Sequence, residues 1–293
     1  MAWQQLICQL ESKHLPLLES LLEEHDALSI TYEDAEDHPI FEPKPGEMPL
    51  WDTTIIKALF ESDQNLDPLL EQIPQLSDIH RFYLEQLDDQ PWERAWLEHF
   101  KPICFGNGLW ISPHNQSVPD DAKTIVWLDP GLAFGTGTHA TTALCLKWLA
   151  HHDMAHQSVV DFGCGSGILA IAAAKLGAEQ VIAIDNDPQA LTATENNALA
   201  NAVSHRLQVV LPEHTPDIMA DVVIANILAN TLIELKEAIL GLCRENGHIV
   251  MSGILANQTE SVQNAYSDAV TDWKIDQHED WICLSGRLYQ RHQ

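Results

Sequence analysis

Val159-Val160-Asp161-Phe162-Gly163-Cys164-Gly165-Ser166-Gly167 is the stretch whose reading decides the fold. Short apolar residues run into an acid, and glycines then occupy every second position. Ile168 to Leu176 follows as an apolar, alanine-rich helical run, and Val181-Ile182-Ala183-Ile184 leads into Asp185. Strand, glycine turn, helix, strand and acid make one nucleotide-binding βαβ unit, which predicts a ligand carrying a ribose.

Downstream, apolar strands alternate with helices. Leu207–Leu211, Asp221–Ala225 and His248–Ser252 read as three further strands, with one helix over 230–243 between the last two. Trp273–Gln277 and Trp281–Leu288 are close enough in the chain to pair as an antiparallel hairpin. Near-continuous apolar strands fit a sheet buried on both faces. The expected class over residues 105–293 is α/β, an open, doubly wound, Rossmann-like sheet. Its ligand should sit beyond the carboxyl ends of the strands.

Upstream, the periodicity is different. Residues 2–10 read as a strand, and Leu15, Leu17, Leu18, Leu21 and Leu22 mark a helical stripe within 12–25. Residues 27–32 alternate as a strand, and 33–49 form an acidic, proline-bearing loop. A strand lies within 51–60, a short helix over 65–75 and a last strand over 79–87. The order β-α-β-β-α-β predicts a small α+β, ferredoxin-like domain over residues 1–87. Residues 88–104 read as a connecting helix, with Pro91 in its first turn and Trp92 and Trp96 on one face.

The chain has 293 residues, of which 45% are hydrophobic, enough for two domains with real cores. No run of about 18 apolar residues predicts a membrane span. The amino terminus lacks the basic start and apolar core of a signal peptide. Six cysteines are scattered without a Cys-x-x-Cys pair, which argues against a zinc site and a disulfide framework and for a reduced, cytoplasmic, soluble protein. The net charge is −28, and residues 1–100 hold 22 acids against 5 bases, a net −17. Such a field repels nucleic-acid backbones and attracts basic partners, while also serving plain solubility.

A dinucleotide fingerprint would place its third glycine at position 168, which is Ile168, and the loop holds no lysine or arginine. Hydride transfer and a pyrophosphate ligand therefore lose support. Asp161, closing the first strand, suits an ammonium group. Asp185 suits the two hydroxyls of a ribose. Asp187, just before Pro188, already fills the helix-capping role. In Leu128–Thr142 two Gly-Thr pairs enter a helix whose start offers N–H groups to a carboxylate. Phe134 is placed to lie against a ligand cation or ring. Thr141 and Thr142 suit capping or ligand contact, and His139 reads as a hydrogen-bonded structural histidine rather than a base. Asn226, directly after the fourth strand, presents a side-chain carbonyl to an N–H donor. No second carboxylate or Cys/His pair joins it, so neither a metal site nor a covalent mechanism is expected.

Together these residues resemble the class I methyltransferases that use S-adenosylmethionine. Asp161 to Gly167, including Gly163 and Gly165, is similar to their first motif, and Asp185 to their ribose acid. The stretches Leu128–Thr142, Val160–Leu176 and Asn226–Ala229, with Ser252-Gly253-Ile254-Leu255, are similar to the PrmA family. That family comprises the bacterial methyltransferases of large-subunit ribosomal protein L11. The resemblance covers almost the whole chain.

The resemblance implies methyl transfer from S-adenosylmethionine to lysine ε-amino groups and an N-terminal α-amino group. It implies cofactor contacts from Thr142, Gly163, Asp185 and Asn226, with Phe134 and Thr141 as neighbours, and an acidic small domain that grips the substrate protein and swings. Our expectation is that Asn226 orients the amine. The −17 charge of the first hundred residues suits a basic ribosomal substrate; direct nucleic-acid recognition is not expected. A nucleic-acid base methyltransferase is the nearest rival, but Ile227-Leu228-Ala229 lacks the prolines and aromatic ring of that class. A non-catalytic ribosome-binding module and a nicotinamide oxidoreductase are the more distant ones.

Overall fold

The computed structural model describes residues 3–36, 50–76, 79–87, 101–120, 122–128 and 139–289. The chain divides into two compact units, Met1–Ala95 and Trp96–Gln293.

The first unit runs β1 (Trp3–Glu11), α1 (Leu15–Glu24), β2 (Ser29–Asp34), β3 (Thr53–Glu61), α2 (Asp67–Gln72) and β4 (Ile79–Leu87). The sheet order is β2-β3-β1-β4, with every neighbouring pair antiparallel. This is the ferredoxin-like arrangement that the element order predicts. Strict alternation in β3 sends Thr54, Ile56, Ala58 and Phe60 inward, where they meet Leu6, Cys8 and Leu10 of β1. Leu15, Leu18, Leu21 and Leu22 of α1 and Leu69 and Ile73 at α2 close this core from one side. Both helices begin on a proline in the first turn, where the missing N–H is harmless.

The second unit opens with three strands that the sequence reading did not foresee. β5 (Ile103–Gly106) and β6 (Leu109–Ser112) pair antiparallel, and β7 (Thr124–Trp127) pairs parallel with β6. Asn107 and Gly108 join the first two with φ of 47° and 82°, the left-handed pair that a two-residue hairpin needs.

The chain then alternates: α3 (Ala140–His151), β8 (Ser158–Phe162), α4 (Ile168–Lys175), β9 (Gln180–Ile184), α5 (Pro188–Ala200), β10 (Leu207–Val210), β11 (Ala220–Asn226), α6 (Ala229–Glu234), α7 (Lys236–Gly241), β12 (Cys243–Leu255), α8 (Thr259–Tyr266), β13 (Val270–His278) and β14 (Trp281–Leu288). The seven strands order as β10-β9-β8-β11-β12-β14-β13, and only β14 runs against the rest. The expected hairpin is β13–β14.

Two expectations are corrected. The single helix over 230–243 is two short helices, because Leu235 leaves helical geometry at φ −95°, ψ 13°. The fifth strand extends well beyond His248–Ser252. Its pairing with β11 jumps from Ala220↔Cys243 to Val222↔His248, so the extra residues are absorbed in a bulge containing left-handed Asn246.

Strands β8, β9 and β11 are buried on both faces. Val159, Val181, Ala183, Val222 and Ile224 pack under α3 and α4, while Val160, Ile182, Val223, Ala225 and Met251 pack with α6, α7 and α8. α4 is buried all round, from Ile168 to Ala174, because it lies between the seven-stranded sheet and the β5–β7 sheet. Its four alanines keep both layers close. Among the described residues, no helix is long and apolar enough to cross a membrane.

Candidate functional site

Strand order reverses between β8 and β11, so the loops leaving their carboxyl ends diverge and open a crevice. Asp161, Gly163, Gly165 and Asn226 all lie at these two tips, and Asp185 follows the neighbouring β9.

The glycine loop adopts a conformation that side chains resist: Gly163, Gly165 and Gly167 have φ of 77°, 55° and 77°. Its first turn is pinned to β9, since the N–H groups of Gly163 and Cys164 both donate to the carbonyl of Ile184, at 2.8 and 3.0 Å. From the other side α5 holds the loop's carbonyls. Thr194 Oγ1 donates to Gly165 O at 3.1 Å and Asn197 Nδ2 to Ser166 O at 2.9 Å. These two α5 residues were not singled out from the sequence. Their spacing of three on one helix face is the signal that finds them.

Asp185 joins the loop to the next turn. Its Oδ2 accepts from Gly165 N at 2.9 Å and its Oδ1 from Asp187 N at 3.0 Å. A carboxylate has about four acceptor positions, so two backbone bonds fix its orientation and leave capacity for two hydroxyl donors. Asp187 caps α5 through Gln189 N at 2.8 Å, as expected.

Asp161 is 1% exposed. Its Oδ2 accepts from Ala170 N in the first turn of α4 at 2.9 Å, but its Oδ1 has no hydrogen-bond partner among the described residues. Burial drives its carboxyl up to about 7 and nearby Asp185 adds to this, while the Ala170 N–H pulls the other way. An orphaned buried carboxylate oxygen is a demand for a donor, best met by a cation. The glycine loop, the β9 and β11 tips and the first turn of α3 carry no lysine or arginine. Two carboxylates without a basic residue fit a cationic nucleoside better than a pyrophosphate. S-adenosylmethionine, with its ribose hydroxyls, ammonium and sulfonium, supplies the donors and positive charge that these two acceptors call for.

The first turn of α3 approaches from the covering layer. Thr141 and Thr142 are both buried. Thr142 Oγ1 accepts from Asn226 Nδ2 at 3.2 Å, which ties the helix to the tip of β11. His139 is the N-cap of α3, with Nδ1 2.8 Å from Thr141 Oγ1 and its ring edge-on to Trp281 at 5.0 Å. With Nδ2 engaged, Asn226 Oδ1 is the amide atom suited to an incoming N–H. Asn226 pairs with Ser252 in β12, and Ser252 Oγ donates to Ile282 O at 3.0 Å, so its backbone is held from below. Phe134 lies outside the described residues, as does the rest of segment 129–138.

The chain matches the model of the family described as ribosomal protein L11 methyltransferase (PrmA) from residue 2 to residue 289. A ribosomal protein L11 methyltransferase of Alteromonas mediterranea is 47% identical over 289 residues, covering 98% of this chain and 99% of the relative. That of Vibrio campbellii is 50% identical over 271 residues, covering 91% and 92%. The crystal structure of ribosomal protein L11 methylase from Lactobacillus delbrueckii subsp. bulgaricus is similar with a TM-score of 0.59 at 32% identity, over 65% of this chain and 100% of that one. With a glycine loop, two strand-tip acids and an anchored asparagine converging where strand order reverses, and with such relatives along nearly its full length, the chain belongs to the ribosomal protein L11 methyltransferase family.

Proposed function

We propose that this chain transfers methyl groups from S-adenosylmethionine to lysine ε-amino groups and the N-terminal α-amino group of ribosomal protein L11. The observation that carries the reading is the orphaned, buried Oδ1 of Asp161 beside a glycine loop free of basic residues. It favours a cationic nucleoside over a nicotinamide dinucleotide. Asp185 takes the ribose hydroxyls, Gly163 and Gly165 let the ligand approach the backbone, and Thr141 and Thr142 border the site.

When bound, S-adenosylmethionine supplies an electrophilic sulfonium methyl group. The residues around it have to present an uncharged amine in line. A free lysine has a pKa of ~10.4, so roughly one in a few thousand is neutral at pH 7. Asn226 Oδ1 accepts one N–H of the neutral amine and directs its lone pair at the methyl. Partial desolvation in the crevice favours the neutral form. Positioning alone accounts for up to ~7–11 kcal/mol of a barrier, so no dedicated base is required.

The division of labour follows the chain. The catalytic domain holds the strands from β5 (Ile103–Gly106) onward, and the residues between it and position 87 connect it to a substrate-recognition domain, residues 1–87, whose acidity attracts a basic client in the cytoplasm. Residues 88–100 of that connector lie outside the described residues. Two experiments on purified full-length protein test the reading. Calorimetric titration should show S-adenosylmethionine binding and no NADH binding. Incubation with radiolabelled S-adenosylmethionine and ribosomal proteins should label L11. Label in RNA instead, or in nothing, sinks it.

A further inference from the structure

We infer that Ile227 is a positioning residue, a wedge that sets the distance between the glycine loop and the amine-orienting Asn226; this rests on the function proposed above. The residue after Asn226 is held by two glycines from different elements. Gly253, in β12, has φ 83°, and a Cβ built on it would lie 2.3 Å from the carbonyl oxygen of Ile227 and 2.7 Å from its carbonyl carbon. The Ile227 peptide therefore rests directly on Gly253. Gly163, first glycine of the loop, has φ 77°, and a Cβ there would lie 2.5 Å from Ile227 Cγ2. The side chain of Ile227 therefore rests on the loop that would cradle the cofactor.

The surroundings are built for this wedge. Pairing between β12 and β14 breaks between Met251 and Ile254, so the bulge opens where the Ile227 peptide enters. Ile227 packs against the buried cluster that includes Met251 and Ile254. Its chain neighbours are fixed differently: Asn226 by Thr142 and by pairing with Ser252, and Leu228 by its place at the start of α6, with its side chain 51% exposed. Ile227 thus touches both the glycine loop and the β12 bulge while being bonded to Asn226. A shift in its Cγ2 contact changes the separation between the glycine loop and Asn226, and a misplacement near 1 Å costs about a hundredfold in rate.

The β-branch gives a sharp test. Ile227→Leu conserves volume but removes Cγ2, whereas Ile227→Val loses Cδ1 and keeps Cγ2. A merely structural role predicts that both fold and turn over alike, or that the smaller valine is worse. The wedge predicts the reverse. In steady-state methylation of L11 by full-length protein, Ile227→Leu should lower kcat by about tenfold or more. Its KM for S-adenosylmethionine should stay within about twofold of wild type, and its Tm close to it. Ile227→Val should rescue kcat to within a few-fold. Equal kcat for the two variants, or a loss in Ile227→Leu that appears only in KM or Tm, overturns the inference. Wild-type protein that methylates nothing overturns the function on which it rests.

Discussion

Asn226 Nδ2 donates to Thr142 Oγ1 at 3.2 Å across 84 residues of chain, joining the tip of β11 to the first turn of α3. That bond decides which end of the amide faces the crevice. Asn226→Ala removes the proposed acceptor for the amine and should cut kcat strongly, about a hundredfold. Thr142→Val keeps shape and burial but removes the hydroxyl, so the Nδ2 donor loses its partner, a loss of about 1–3 kcal/mol. It should lower kcat by about tenfold, whereas Thr142→Ser keeps the acceptor and should stay near wild type. Methylation kinetics alongside calorimetry check this. Normal turnover in Asn226→Ala with normal binding would remove Asn226 from the mechanism.

Asp185 links the glycine loop to the turn that starts α5, and the proposed ribose contact at this residue makes a prediction. Its two oxygens are oriented by Gly165 N and Asp187 N. Asp185→Ala loses charge-assisted bonds to the ligand, at about 1.5–3 kcal/mol each, and also frees the loop N–H. Affinity should fall by at least about tenfold, and in parallel for S-adenosylmethionine and its demethylated product, because both carry the same ribose. Titration of both ligands tests it. A loss confined to the methylated form would mean that Asp185 senses the sulfonium charge, not the sugar.

Much of this geometry could be read before the structure, and the reasons differ from element to element. β8, α4 and β9 declare themselves because a buried parallel strand, a glycine turn and a helix each constrain residue type locally. Asp187 before Pro188 is a capping signal complete within three residues. The ferredoxin-like order was legible because α1 and β3 carry clean periods of 3.6 and 2. What escaped depends on distant partners. β5 to β7 are four residues each, too short for a period, and only the Asn107-Gly108 turn marks them. The split at Leu235 and the long β12 arise from packing and from a bulge. The roles of Thr194, Asn197 and Ile227 appear only when α5 and β12 are brought against the glycine loop.

The acidity of the first hundred residues, net −17, predicts a salt effect that separates substrate from cofactor. Exposed charges are screened over about 8 Å at physiological ionic strength and about 3 Å at 1 M. The KM for L11 should therefore rise several-fold between 50 mM and 500 mM salt through slower association. Binding of S-adenosylmethionine at the proposed site, where Asp161 is buried, should change far less. A KM for L11 that ignores salt would mean that apolar contacts, not the acidic field, recruit the substrate.

If Asp161 meets the cofactor as proposed, its buried carboxyl makes cofactor binding depend on pH. Its carboxyl is raised to about 7 from an ordinary 3.8, first by burial and then by Asp185. Between pH ~4 and ~7 the folded protein keeps a proton that the unfolded chain has released. Stability from this group therefore falls as pH rises through that window, by on the order of 4 kcal/mol, and the full penalty holds above about pH 7. Asp161→Asn retains an acceptor for Ala170 N but cannot ionise. It should unfold at higher urea concentration than wild type at pH 8 and differ little at pH 5. Binding should move the opposite way. A cationic ligand meets the orphaned oxygen best when Asp161 is ionised, so wild-type affinity for S-adenosylmethionine should rise from pH 6 to 7.5 while that of Asp161→Asn stays flat. Parallel pH profiles for the two proteins, in stability or in binding, would show that Asp161 neither titrates near neutrality nor meets the ligand's charge.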